Sequence, residues 1–232
     1  MAAAPEFNGF PLELLHFLEE LSRNNRKPWF DKNKERYEKV VRGPALDFIT
    51  AMQKPLAKLS PHFLAVPKKV GGSLMRIHRD IRFSKDKTPY KTNVGIQFRH
   101  ESGCDVHAPG FYFHIDTNEV FLGAGVWHPA SDALSAIREQ IAEDPKRWKR
   151  IRDNKRFRAV WDLDGESLKR PPRGYDPEHP AIEDLKRKDH IAVVKLDHDV
   201  LFSPEVVPET IDSFKRAKPY IAYLCEAIGV EF

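Results

Sequence analysis

Cysteine is nearly absent. Cys104 and Cys225 are the only two in 232 residues, too few for a disulfide framework, and a reducing cytoplasm is the compartment this usage fits. No apolar run approaches the roughly 18 residues that a membrane-spanning helix needs, which argues against a membrane partner. The start, Met1 to Gly9, lacks the basic and apolar regions of a secretory signal, so residues 1–6 read as a loose tail. An excess of one charge is missing too: 38 Lys+Arg nearly cancel 34 Asp+Glu, and a net +4 does not by itself argue for nucleic acid. No repeat, Gly/Ser linker or low-complexity block divides residues 1–232, which read as a single domain. What is plentiful excludes disorder: 15 Phe, 6 Tyr and 4 Trp are enough for a core.

The first sixty residues follow a helical period. Leu14, Phe17, Leu18 and Leu21 form an i, i+3, i+4, i+7 stripe that ends at Asn24-Asn25. Pro28 fits the first turn of a second helix bearing Trp29, Tyr37 and Val40. Gly43-Pro44 predicts an interruption. Phe48, Met52, Leu56 and Leu59 then make a third helical face, bent or cut short at Pro55.

After Gly71-Gly72 the period changes to two. Met75, Ile77 and Ile81 alternate with Arg76, His78, Asp80 and Arg82, which predicts a strand over 74–82. Residues 92–100, 110–116 and 119–127 alternate likewise, and Ile191 to Leu196 suits a fifth strand. Helices return at Pro129, at Pro145 to Asn154 and after Ser203-Pro204-Glu205, the last broken near Pro219 and ending at Gly229. A proline-rich loop spans 171–180. The fold expected is α+β, an antiparallel meander of four to five strands packed on one face by the N- and C-terminal helices.

The opposite face of that sheet carries the chemistry. Arg76, His78, Asp80, Gln97, Tyr112, His114 and Asp116 would share one surface, rich in donors and titratable near neutrality. Three readings stand open. The groups satisfy one another in a structural network. Alternatively, Arg76 and its neighbours fork a carboxylate or phosphate. In the third, His78, His114 and a carboxylate hold a divalent metal. Cys104 and His107 amount to half a zinc site.

Two basic segments add to this. The 84–91 loop gathers Lys85, Lys87, Tyr90 and Lys91 beside Arg79 and Arg82, and could clamp an anion. The stretch 146–158 interleaves Lys and Arg with Trp148 and Phe157. It reads as an exposed helix with its aromatics on the core, or as a nucleic-acid or protein interaction module.

Phe17-Leu18, Asn24-Asn25-x-Lys27-x-Trp29-Phe30 and Gly72-Ser73-Leu74-Met75-Arg76-Ile77 lead into the string Arg79-Asp80-Ile81-Arg82-Phe83-Ser84-Lys85-Asp86-Lys87-Thr88-Pro89-Tyr90-Lys91-Thr92. With Phe111-Tyr112-Phe113-His114-Ile115, Gly123-x-Gly125-x-Trp127-x-Pro129 and Arg170-Pro171-Pro172-x-Gly174-Tyr175-Asp176, this pattern resembles the uncharacterised family domain of unknown function 2461 (DUF2461). The resemblance implies a soluble single-domain protein without an established activity or cofactor. Its pattern carries Tyr at position 78, so His78 is a departure that weighs against the metal.

The reading that results is a small anionic metabolite, phosphate- or carboxylate-bearing, in a cationic pocket on the polar sheet face. Arg76, Arg79 and Arg82 would pair its charge, with Arg79 the most structural of the three because it points away from the other two. Lys85, Lys87 and Lys91 would clamp it, beside Tyr90 and Tyr112. If the site catalyses, His114 carries the proton and Asp116 or Asp80 orients it.

Overall fold

Leu14, Phe17, Leu18 and Leu21 bury completely along α1 (Glu13–Arg23) in the computed structural model, which describes residues 6–82, 84–103 and 108–232. The tail expected at the N-terminus falls almost wholly outside the described residues, as do Cys104 and His107. The interruption expected at Gly43-Pro44 does not occur. Helix α2 (Lys27–Tyr37) runs through a π-helical turn (Glu38–Arg42) into α3 (Gly43–Leu59). The Gly43 N–H reaches back five residues to the Glu38 carbonyl, and this wider turn directly precedes Pro44, which has no N–H to donate.

Pro55 does not end α3, nor does Pro219 break the last helix, α9 (Val206–Ala227), which follows α4 (Ser131–Glu143), α5 (Pro145–Arg152), α6 (Lys155–Arg158), α7 (Ile182–Leu185) and α8 (His198–Leu201). Each proline removes a ladder bond at a cost of about 3 kcal/mol. Leu56 and Leu59 beyond the first, and Tyr220, Ile221 and Leu224 beyond the second, are buried. Such burial contributes about 1.5–3 kcal/mol per side chain, enough to carry the helix through.

Among the described residues the sheet has six strands, β1 (Phe63–Leu64), β2 (Val94–His100), β3 (Gly110–Ile115), β4 (Val120–Val126), β5 (Asp162–Asp164) and β6 (His190–Leu196), in the order β1-β2-β3-β4-β6-β5 and all antiparallel. The meander β2, β3, β4 and the later β6 follow the expected alternation. Two short edge strands, β1 and β5, bring the number to six rather than four or five.

The strand expected over 74–82 is not formed. Ser73 and Met75 bond to Gln97 and Gly95 on β2, but the chain then leaves the sheet and pairs with its own continuation. The Arg79 N–H donates to the Pro89 carbonyl, and the Lys91 N–H to the Ile77 carbonyl. Pro89 cannot donate in return, so only isolated bridges remain, Leu74 to Ile96 and His78 to Tyr90.

One face of the sheet is covered by helices. Phe113 lies 4.9 Å from Phe48 of α3, and Phe111 stacks at 4.4 Å on Phe214 of α9. The other face carries the site.

Candidate functional site

Strand register sorts the open face into rows. Gly95, His114, Phe121 and Lys195 are directly opposed across β2, β3, β4 and β6. In the next row stand Gln97, Tyr112, Gly123 and Val193. Glycine recurs where the backbones crowd. A Cβ on Gly125 would sit 2.0 Å from the His190 carbonyl oxygen, and φ there is +135°, so only glycine fits. A Cβ on Gly95 would lie 2.7 Å from the Tyr112 hydroxyl.

Without side chains at 123 and 125, the strip between Tyr112, Phe121, Trp127, Ile191 and Val193 is a cleft of about 330 Å³. Its walls are largely apolar, with Gln97 and Asp164 as polar exceptions. Trp127 is 49% exposed at this cleft and packs, tilted, against His128 at 4.2 Å. The loop carrying these two rings is fixed by Asp189, whose side chain is 1% exposed and accepts the N–H groups of both His128 and Glu166.

A hydrogen-bonded chain runs from the cleft wall. The Tyr112 hydroxyl lies 3.1 Å from His114 Nδ1, and His114 Nε2 lies 3.1 Å from Asp116 Oδ2. Phe121 stacks on the imidazole at 4.5 Å and fixes its plane. Burial, aided by the Asp116 charge, pushes the Tyr112 phenol up to about 12. Burial also acts to raise the Asp116 carboxyl. The N–H groups of Glu119 and Asn118, with His114, outweigh it and leave the carboxyl below its ordinary value. The sequence placed Tyr112, His114 and Asp116 on one surface; the structure joins them in series, with Tyr112 alone lining the cleft.

Asp80 takes no part in this chain. It holds Arg82 through two bonds, 3.0 and 2.6 Å, and Arg82 keeps its carboxyl down at about 2. Of the other cations, Arg79 is engaged by Asp86 and by Thr88, and Lys87 donates to the Ile81 carbonyl at 2.9 Å. These three contacts shape the hairpin itself. Tyr90 is a core residue: its ring stacks on Phe30 at 4.1 Å, and Asn25 clasps its N–H and carbonyl together, at 3.0 and 2.9 Å. His78 packs at 5.2 Å against that same ring rather than beside His114. The pair invoked for a metal is therefore not brought together, and no cluster of three suitable ligands occurs among the described residues.

Arg76, Lys85 and Lys91 differ from the rest. Their side chains have no hydrogen bond or ion pair among the described residues. Arg76 directly follows Met75, which lines the cleft, and the Lys91 backbone bonds to Ile77. Burial first, then the Arg76 and Arg79 guanidiniums, push the half-buried Lys91 ammonium below its ordinary value. The expected cationic pocket is thus an apolar cleft: no Lys or Arg lines it among the described residues, and Arg76 is joined to it as the chain neighbour of Met75.

The stretch 146–158 divides into α5 (Pro145–Arg152) and α6 (Lys155–Arg158), with Trp148 and Phe157 buried. Arg147 forks Glu226 at 2.6 and 2.5 Å, and Arg152 joins Asp153 and Asp184. Its aromatics hold the core and part of its charge is neutralised.

Phe121, Trp127, Ile191 and Val193 were not foreseen as site residues. The usable signal was Gly123-x-Gly125, since two glycines one apart on a strand strip one face of side chains. A family model described as "Conserved hypothetical protein (DUF2461)" matches residues 13–223. No curated protein matches the chain.

Proposed function

The chain belongs to the DUF2461 family of conserved hypothetical proteins, and from that premise we propose that it binds a small molecule with a flat body and an anionic phosphate or carboxylate group. The flat body would lie over the Gly123 and Gly125 floor between Trp127, Phe121 and Val193. The anionic group would reach the edge where Arg76 and Lys91 stand. One juxtaposition carries this reading: an apolar cleft of about 330 Å³ lined by Met75, with the next residue, Arg76, and Lys91 making no side-chain hydrogen bond or ion pair among the described residues. Arg76 and Arg79 both act against the charge of the half-buried Lys91, Asp80 is the carboxylate that acts on Arg76, and a bound anion would relieve the repulsion at Lys91.

The test is a thermal-shift series with benzoate, phenyl phosphate and neutral benzamide. A ligand at 100 times its Kd adds about 2.7 kcal/mol, which is roughly 5–10 °C for a chain of this size. The anions should stabilise at lower concentration than the amide. Arg76→Ala with Lys91→Ala should remove that preference, and Val193→Trp, which fills the cleft, should remove binding altogether. Equal response to all three compounds in the parent protein would sink the anionic half of the reading.

A further inference from the structure

Tyr112 is the one member of the Tyr112–His114–Asp116 chain that faces the cleft, and its hydroxyl already has an acceptor behind it in His114 Nδ1 at 3.1 Å. The Asp116 carboxylate, 3.1 Å from Nε2, fixes the ring so that Nε2 carries the proton and Nδ1 offers its lone pair. The stacked Phe121 ring holds this orientation. From this geometry we infer that the site is a proton-withdrawing one, in which Tyr112 is the catalytic residue that takes an acidic proton from the bound molecule. This inference rests on the cleft being the binding site.

The step balances without a co-reactant. The ligand's X–H bond breaks as its proton bonds to Tyr112 Oη, and in concert the phenolic proton leaves Oη for His114 Nδ1. The electron pair of X–H stays on the ligand, which becomes an anion. The imidazole becomes an imidazolium facing Asp116, a positioning residue. No free tyrosinate forms, as suits a buried phenol that holds its proton tightly. The new ligand anion lies in the cleft that adjoins Arg76 and Lys91, so the same cations that recognise an acid would stabilise its conjugate base.

The probe is 4-nitrophenol, a flat acid whose phenolate is yellow. It is examined with the full chain at a pH where the free probe is mostly protonated, and binding is measured separately by equilibrium dialysis. The expected result is a phenolate fraction at least tenfold higher for bound probe than for free probe. In Tyr112→Phe and in His114→Gln the excess should vanish while dialysis still shows binding. An undiminished excess in both variants would assign the effect to the cations alone and overturn the relay, leaving the cleft intact. No saturable binding to the parent protein would overturn the cleft and the relay together. Long-range proton–nitrogen spectra of the parent protein test the relay where the variants misfold: saturation with probe must convert His114 from the Nε2–H form to the doubly protonated ring. A ring that stays neutral, or that carries its proton on Nδ1 before probe is added, refutes it. Asp116→Asn should reduce the imidazolium signal more than it weakens binding.

Discussion

His114 and His190 stand on the same sheet, one on each face, and their surroundings make them opposites. His114 sits at the open face with a phenol on one nitrogen and a carboxylate on the other. His190, opposite Val126 in the β4–β6 ladder, is sealed in the core, edge-on to Trp148 at 6.1 Å. Neither of its ring nitrogens has a hydrogen-bond partner among the described residues, and the same holds for Trp148 Nε1 and the Tyr220 hydroxyl. Burial, reinforced by Arg187 and Arg138, pushes His190 down to about 3, so it stays neutral through the physiological range. The contrast teaches that an imidazole becomes useful through what its two nitrogens touch. His190 serves as an apolar ring in the core, whereas His114 has a route along which a proton can move.

Four experiments bear on that contrast. The largest effect belongs to Gly125, whose absent side chain separates the cleft floor from the His190 carbonyl. Gly125→Val should destabilise by about 3–6 kcal/mol through clash and backbone strain, read as a fall in the urea midpoint. A value below 1 kcal/mol would mean that the β4 and β6 backbones are less tightly apposed than the 2.0 Å approach requires.

Next, the rings packed against the two histidines should differ in weight. Trp148→Ala beside His190 should cost about 3–5 kcal/mol, and Phe121→Ala over His114 about 1 kcal/mol. Equal losses in denaturant titrations would erase the distinction between structural and functional face.

Third comes pH. His190 is near 6.5 when unfolded and about 3 when folded, so the unfolded chain binds the extra proton between those values. Stability from the neutral ring is complete above about pH 6.5 and is lost as pH falls toward 3, by roughly 1.4 kcal/mol per unit at the steepest. His190→Phe should flatten that limb relative to the parent protein. Identical curves would show that His190 is not the group responsible.

Smallest in stability but telling for the site is Gly95→Ala. The new methyl would meet the Tyr112 hydroxyl at 2.7 Å and the Met75 sulfur at 2.9 Å, and both side chains can yield. The cost should be about 1 kcal/mol, while the His114 ring resonances should move as Tyr112 withdraws. Unmoved resonances would dissolve the bond proposed between them.

The sequence made the layers legible because periodicity reports burial directly. The stripe Leu14, Phe17, Leu18, Leu21 and the alternations of β2, β3 and β4 each appear at full burial. It misjudged the 74–82 segment because alternation there is accidental: Leu74 and Ile77, three apart, are the buried pair. The prolines misled in the other direction, since local propensity says nothing of the core waiting for Leu59 or Leu224. At the site, His114 and Asp116 were readable from their spacing, and Tyr112 from its place in the same alternation. Their serial order was not, nor was the cleft. Both depend on which strands are neighbours and on Gly123 and Gly125, where the informative feature is a missing side chain. The cations were legible as a group but not as individuals, because only geometry divides Arg79 and Arg82, held by aspartates, from Arg76 and Lys91.

The two-handed grip of Asn25 on Tyr90 has a consequence beyond packing. It pins the loop bearing Lys91 to the turn between the first two helices. The tilt of that loop above the sheet is therefore governed from the N-terminal helices, on the far side of the core from the cleft. Under the proposed function, a disturbance there would slacken the hold on a ligand's charged end while leaving the bed for its body untouched, coupling affinity to helix docking.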